Sequence, residues 1–213
     1  VGEQHMMTME LGGASDQQNN IMGANYLLDI GEWHDKRVSG TMTISGKMLR
    51  NISLGHANAD EIVISISSLA LGSTPMLETI NMSNISTLSG TIDLRNASHI
   101  REVLADGTSV TQIKLPSASP LEVLKYADTN QYIILNKQQK LTTLEYEGCK
   151  ANITTFAVTD CPNVDAVAML VDILDTQTSQ GVNNIAGVRL QGINKVSDSS
   201  AILETLSLLA TNE

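Results

Sequence analysis

The sequence predicts a β-rich solenoid: stacked coils of about 20–23 residues, each with two short strands. Three observations carry this. Short segments of the form apolar-x-x-apolar-x-apolar return about every eleven positions along the middle of the chain. The intervals between them are rich in Gly, Pro, Asn, Asp and Ser, the residues that turns select. Hydrophobic residues make up 42% of the chain but aromatics only 3%, with Trp33 and Phe156 the lone examples of their types. Thin layers of similar-sized aliphatic side chains suit that composition better than a compact aromatic core does.

Residues 1–37 carry polar loops such as GGASDQQNN and are assigned as an N-terminal capping or irregular segment. VSGTMTISG and MLRNISLG follow as early strands marked by Met42 and Ile52, and EIVISISSLAL as a third. From Met76 the repeat is clear. Its central apolar positions are Ile80, Ile92, Val103, Ile113, Leu124, Ile133, Leu144 and Phe156, separated by 12, 11, 10, 11, 9, 11 and 12 residues. Alternation within each segment indicates strand. Every second marker is 20 to 23 residues away, the length of one leucine-rich-repeat coil. Five positions beyond each marker stand Ile85, Ala97, Thr108, Ala118, Thr129, Gln138, Cys149 and Cys161. In such repeats this place holds a small or polar side chain that bonds turn backbone inside the coil, so both cysteines are expected to be buried turn-fillers.

After Pro162 the period changes. NVDAVAMLVDIL places Val164, Val167, Leu170, Val171 and Leu174 at helical spacing, with Asn163 as the expected N-cap. IAGVRLQGI reads as a strand through Ile185, Val188 and Leu190. SDSSAILETLSLLA reads as a second helix, with Ile202, Leu203, Leu206, Leu209 and Ala210 on one face and Asp198 or Ser199 as cap. The predicted organisation is one continuous domain: 1–37 as the cap, 38–162 as the β-solenoid, and 163–213 as helix, strand and helix. The chain opens at Val1 with a polar VGEQHMMTME, which is no signal peptide. Neither end shows the polar capping coil that solenoids use, so the chain is expected to be a piece of a longer protein.

A formal net charge of −10 argues against nucleic acid and anionic membranes as partners, because both demand clustered Lys and Arg. It suggests a neutral or basic partner. No apolar run of about 18 residues exists to insert in a bilayer. His5, His34, His56 and His99 fit no metal-ligand spacing, and the two cysteines fit neither zinc nor redox patterns. No GxSxG elbow, calcium loop or phosphate-cradling glycine loop occurs; Gly12-Gly13 is an isolated pair. No catalytic residue, cofactor or metal is therefore expected. Asp93, Glu102, Glu122 and Glu145 fall on outward strand positions, where a parallel ladder could stack them into an acidic stripe. A solvated face explains them, with paired sugar-hydrolysing carboxylates as the alternative. Asn51, Asn81, Asn84, Asn96 and Asn152 begin Asn-x-Ser/Thr triplets and read as turn residues. In GEWHDKR the single Trp meets charge, which makes Trp33 and His34 the candidate surface-binding pair: an exposed indole beside polar groups suits stacking on a sugar. The plainer reading is that Trp33 caps the first coil.

TLSGTIDLRNASHIREVLADGTSVTQIKLPSASPLEVLKY, then KLTTLEYEGCKANITTFAVTDCPNVD and VRLQGINKVSDSSAILETL, resemble leucine-rich-repeat segments in large virion proteins of gut bacteriophages, the crAss-like phages and their relatives. The resemblance spans roughly residues 76–210. It implies a solenoid within a tail or tail-associated structural protein that contacts other virion proteins or a host-surface protein or glycan. It transfers no catalytic residues. Bacterial surface adhesion proteins of the BspA type have a similar cadence, but their SIGxxAFxxC phrase is missing here. Two other settings remain open: an adhesion domain on a bacterial cell surface, and a tailspike-like β-helix that cleaves polysaccharide.

Overall fold

A computed structural model describes residues 8–10, 18–22, 27–29, 38–55 and 64–197, with Ser200 and Ser207. After β1 (Thr8–Glu10), the chain lays β2 (Gln18–Met22) on one face and β3 (Leu27–Asp29) on the other. β4 (Val38–Ser45) and β5 (Asn51–Ser53) repeat the alternation, as do β6 (Ile64–Leu71) and β7 (Thr79–Asn81). The next coils hold β8 (Ser89–Asp93) with β9 (Glu102–Leu104), then β10 (Ser109–Lys114) with β11 (Val123–Lys125). β12 (Tyr132–Asn136) and β13 (Thr143–Glu145) form the last coil with two strands. β14 (Thr155–Thr159) is followed by helix α1 (Ala166–Ser179), and β15 (Gly187–Gln191) ends the described stack. Face one carries β15 and the even-numbered strands, in segments β2-β4-β6, β8-β10 and β12-β14-β15. Face two is one sheet of six strands, β3-β5-β7-β9-β11-β13. All neighbours pair in parallel except β1, which runs antiparallel along β2. The protein is a β-solenoid, as the spacing predicts.

The apolar markers are the register. On face two, Leu28, Ile52, Ile80, Val103, Leu124 and Leu144 stand opposite one another from coil to coil. On face one, Met42 meets Leu69, Ile92 meets Ile113, Ile133 meets Phe156, and Phe156 meets Val188. From Met42 to Phe156 these side chains form one continuous buried core, with Leu144 packed against it, while Val188 at the end of the stack is exposed. Slipping a strand by one residue would turn its apolar set outward, so burial holds the register.

Coil length is less uniform than predicted. Successive face-two partners Ile52 and Ile80 lie 28 residues apart, whereas Ile80 to Val103, Val103 to Leu124 and Leu124 to Leu144 keep to the shorter repeat. The early coils are longer because β4 and β6 each run 8 residues and pair through a bulge between Gly40 and Thr41. The last coil is also long, 32 residues from Phe156 to Val188. A 14-residue helix replaces a three-residue strand there, and a helix advances only about 1.5 Å per residue. The boundary drawn at 37/38 does not interrupt the stack, since β2 and β3 already pair with β4 and β5.

Two positions of the inner column are corrected. Ala118 and Thr129 are exposed, and the buried places one residue later belong to Ser119 and Asn130. At the first of these, Ala118 takes a left-handed conformation with φ 60° and adds a residue to the turn. The helix cap is corrected too. Asp165, not Asn163, caps α1, its Oδ1 accepting from Ala168 N at 3.1 Å, while Asn163 donates across the stack to Gln139 O. Met169 and Ile173 are buried in α1 where the spacing pointed to Val171, which is half-exposed. The predicted second helix is represented by Ser200 and Ser207, both helical, and the rest of it lies outside the described residues.

Candidate interaction surface

The interior is apolar but carries two polar columns at the corners. One corner stacks Ala97, Ser119, Gln138 and Cys161. Ser119 Oγ donates to Gln138 Oε1 at 2.7 Å, Gln138 Nε2 to Pro116 O at 2.8 Å, and Cys161 Sγ contacts Thr159 O at 3.3 Å. The other stacks Thr108, Asn130 and Cys149, and the bonds here run to backbone: Thr108 Oγ1 to Ala105 O at 2.7 Å, Asn130 Nδ2 to Tyr132 O at 2.8 Å, Cys149 Sγ to Tyr146 O at 3.1 Å. Both thiols are free and buried. Burial pushes Cys149 up to about 12 and raises Cys161 as well, so neither is a thiolate at neutral pH. Turn-filling is their role in this geometry, as the repeat predicts.

At the end of that second column the buried Gln177 of α1 replaces the turn-filler. Its Nε2 donates to Lys150 O and Ile153 O, and its Oε1 accepts from Asn184 N and Ile185 N. A fully satisfied amide thus locks the helix to the preceding coil. Lys150 Nζ, 2.8 Å from Asp172 Oδ1, and Tyr146 Oη, 3.0 Å from Asp172 Oδ2, add a second clasp.

The Ser/Thr richness of the chain has a use the spacing did not reveal. At the entry to face one, hydroxyls donate to carbonyls of the preceding coil: Ser67 to Gly40 at 3.1 Å, Thr87 to Ile66 at 2.9 Å, Ser109 to Ser86 at 2.8 Å, Thr111 to Gly90 at 3.1 Å, Thr129 to Val110 at 2.9 Å. Asn152 makes the same kind of clamp to Asp128 O at 2.8 Å. Gly55 permits a close approach: a Cβ there would stand 2.8 Å from Ser83 N and 2.9 Å from Ser83 O of the next coil.

The four outward carboxylates do not form an acidic stripe. Asp93 lies on face one and is held by Arg95, whose hydrogen bond keeps its carboxyl below the usual range. Glu122 pairs with Arg101 at 3.0 Å and Glu145 with Lys125 at 3.0 Å. Glu102 aligns with Thr79 and Val123, not with another acid. One row of face two instead runs Arg50, Glu78, Arg101, Glu122 in alternating charge, with Arg50 on Glu78 and Arg101 on Glu122. Among the described residues no group of three or more His, Cys, Asp or Glu side chains is placed to hold a metal ion, and no helix is long and apolar enough to cross a membrane. His99 is exposed, its Nδ1 3.1 Å from Pro75 O on the preceding coil. The candidate pair Trp33 and His34 lies outside the described residues, as do His5 and His56.

Grooves open on the surface among the described residues. One of about 380 Å³ lies between the edge of β13 and α1, lined by Leu141, Leu144, Tyr146, Val164, Met169 and Asp172 among others. The second, of about 230 Å³, crosses face one at the C-terminal ends of β8, β10 and β12 and is lined by Arg95, Gln112, Lys114, Ser117, Ile134 and Asn136 among others. No sequence pattern announces either. The residues of each come from different coils, about one repeat apart, and only the stacking makes them neighbours. In comparisons with known proteins, no family model, no curated protein and no solved structure matches this chain.

Proposed function

We propose that the chain is a non-catalytic interaction module of a phage virion, part of a tail-associated protein that contacts other virion proteins or the host surface. The observation that carries this reading is the pair of broad faces held in one register by a continuous apolar ladder. Stacked strands make a stiff, extended surface whose outward residues vary without disturbing the core. Of the outward carboxylates that acid–base cleavage of a sugar would use, Asp93, Glu122 and Glu145 are engaged by Arg95, Arg101 and Lys125 and Glu102 has no second acid beside it in register, which favours a binding surface over a hydrolytic one. The virion setting is supported by the sequence resemblance over residues 76–210. An adhesion domain on a bacterial surface is the second reading, supported by the same faces.

The test uses labelled protein on intact gut bacteria of the Bacteroidota type, alongside a panel of capsular and plant polysaccharides assayed for reducing ends. Saturable retention on cells without release of reducing ends is the expected outcome. Release of reducing ends by the purified chain would overturn the non-catalytic reading and favour the tailspike-like alternative.

A further inference from the structure

The cations of the solenoid are divided between its faces. On face two, Arg50, Arg101, Lys125 and Lys150 each meet a stacked or nearby carboxylate: Glu78, Glu122, Glu145 and Asp172. Among the described residues Lys47, Lys114, Lys137, Lys140, Arg189 and Lys195 enter no ion pair. All six lie on face one or in the corner that follows its strands. Among the described residues, face one and the corner after it therefore hold more cations than carboxylates, on a chain whose formal net charge is −10.

The 230 Å³ groove sits in this region. Lys114 stands in register with Asp93 on the neighbouring strand, but Asp93 is already held by Arg95 Nε at 2.9 Å and Arg95 Nη2 at 2.5 Å. Two cations thus share one carboxylate, which leaves the Lys114 ammonium and Arg95 Nη1 to meet an anion. Beside them are neutral polar groups on fixed strands. Asn136 Nδ2 donates to Ser117 Oγ at 3.0 Å, which leaves the Asn136 carbonyl oxygen to accept and the Ser117 hydroxyl to donate, and Gln112 adds a second amide. Ile134, 42% exposed, supplies an apolar wall. Gln138 Nε2 holds the adjoining turn through Pro116 O, which keeps the lining in place without a ligand.

We propose that this groove binds a carboxylate-bearing sugar of an acidic polysaccharide. The carboxylate sits between Lys114 and Arg95, the ring hydroxyls exchange hydrogen bonds with Gln112, Asn136 and Ser117, and the C–H face of the ring rests on Ile134. A mixture of donors, acceptors and an apolar wall fits a hydroxylated ring. Single-stranded nucleic acid would call for aromatic platforms to stack its bases, and no aromatic side chain lines the groove. A peptide that adds to a sheet needs an unpaired strand edge, and the strands beneath the groove are interior to the stack. β10 is paired with β8 on one side; on the other, Gln131 N bonds Thr111 O of the strand, and just beyond it Ala118 N bonds Asn136 O.

This proposal rests on the reading of the chain as a non-catalytic binding module and names the ligand class and the site. Calorimetric titration with hexagalacturonate, with maltohexaose as the neutral counterpart and oligothymidylate as the nucleic-acid counterpart, tests it. Saturable binding of hexagalacturonate that weakens with salt is expected, with neither counterpart binding comparably. Lys114→Ala lowers the affinity about tenfold, Lys114→Arg retains it, and Lys125→Ala on the opposite face leaves it unchanged. Thermal melts of each variant confirm an intact fold. No saturable binding, equal binding of maltohexaose, preference for oligothymidylate, or a folded Lys114→Ala variant that binds like the parent would each overturn the proposal. Release of reducing ends from bound hexagalacturonate would instead overturn the non-catalytic reading and leave the site standing, so the two failures are distinguishable.

Discussion

At the scale of single residues, the cysteines show how a repeat decides chemistry. Cys149 and Cys161 occupy the place that Thr108, Ser119, Asn130 and Gln138 occupy in other coils, and each bonds turn backbone. A buried thiol bonded in this way is chemically quiet. Ellman's reagent should therefore label the native protein at least about a hundredfold more slowly than free cysteine and reach both thiols only on denaturation. The linked pH dependence has a definite sign. Burial lifts the Cys149 thiol from its ordinary value of 9.0 to about 12, so the unfolded chain loses that proton first. The contribution of this thiol is thus complete below pH 9 and is lost between there and pH 12. Chemical denaturation at pH 7 and pH 10.5 measures this, and Cys149→Ala should flatten part of the decline. Rapid labelling of the native state, or stability that rises with alkali, would contradict the buried turn-filler.

At the scale of elements, the substitution of α1 for a strand needs its own fastenings, because a helix cannot join the parallel ladder. Gln177 and the Lys150–Asp172 pair hold its underside, and Asp165 holds its start. Asp165 does two things at once: Oδ1 caps the helix and Oδ2 accepts from Ser197 N at 2.7 Å, which ties down the segment after β15. Partial burial pushes its carboxyl up, but the hydrogen bonds from Ser197 and Ala168 outweigh this and hold it below the usual 3.8. Its contribution is therefore complete above the ordinary carboxylate range and disappears as pH falls through the depressed value. Asp165→Ala should cost about 1 kcal/mol at pH 7, measured by urea titration, with little difference from the parent at pH 2. A variant as stable as the parent at pH 7 would show that the cap is ornamental.

At the scale of the whole molecule, each coil is buttressed only by its neighbours, so one gap in the ladder weakens two interfaces. Leu124 sits midway on face two, in register with Val103 and Leu144, and is inaccessible to solvent. Leu124→Ala should lower stability by about 2–5 kcal/mol in denaturant titrations. A loss well under 1 kcal/mol would mean that the ladder is not the main support. Charge at this scale departs from the sequence reading. Over residues 38–55 and 64–197 the chain has eleven Lys and Arg against twelve Asp and Glu, so most of the formal −10 belongs to other residues. An acidic partner for face one is compatible with that distribution, although the bulk charge argues for a neutral or basic one.

The sequence by itself determined the period, the identity of the inward residues and the change from strand to helix after Pro162. These depend on local spacing: an apolar residue at every second or every third to fourth position buries one side whatever lies beyond it. Ile80, Val103, Leu124 and Leu144 could be marked as one ladder for that reason. Only the tertiary structure decided which outward residues meet. Lys114 and Arg95, or Arg101 and Glu122, are brought together by the length of each coil, and that length is set by turns such as the left-handed one at Ala118 that no spacing rule announces. A single inserted residue in a turn leaves the core pattern intact yet changes which neighbour each surface side chain faces, so the outer grooves were illegible while the inner ladder was plain.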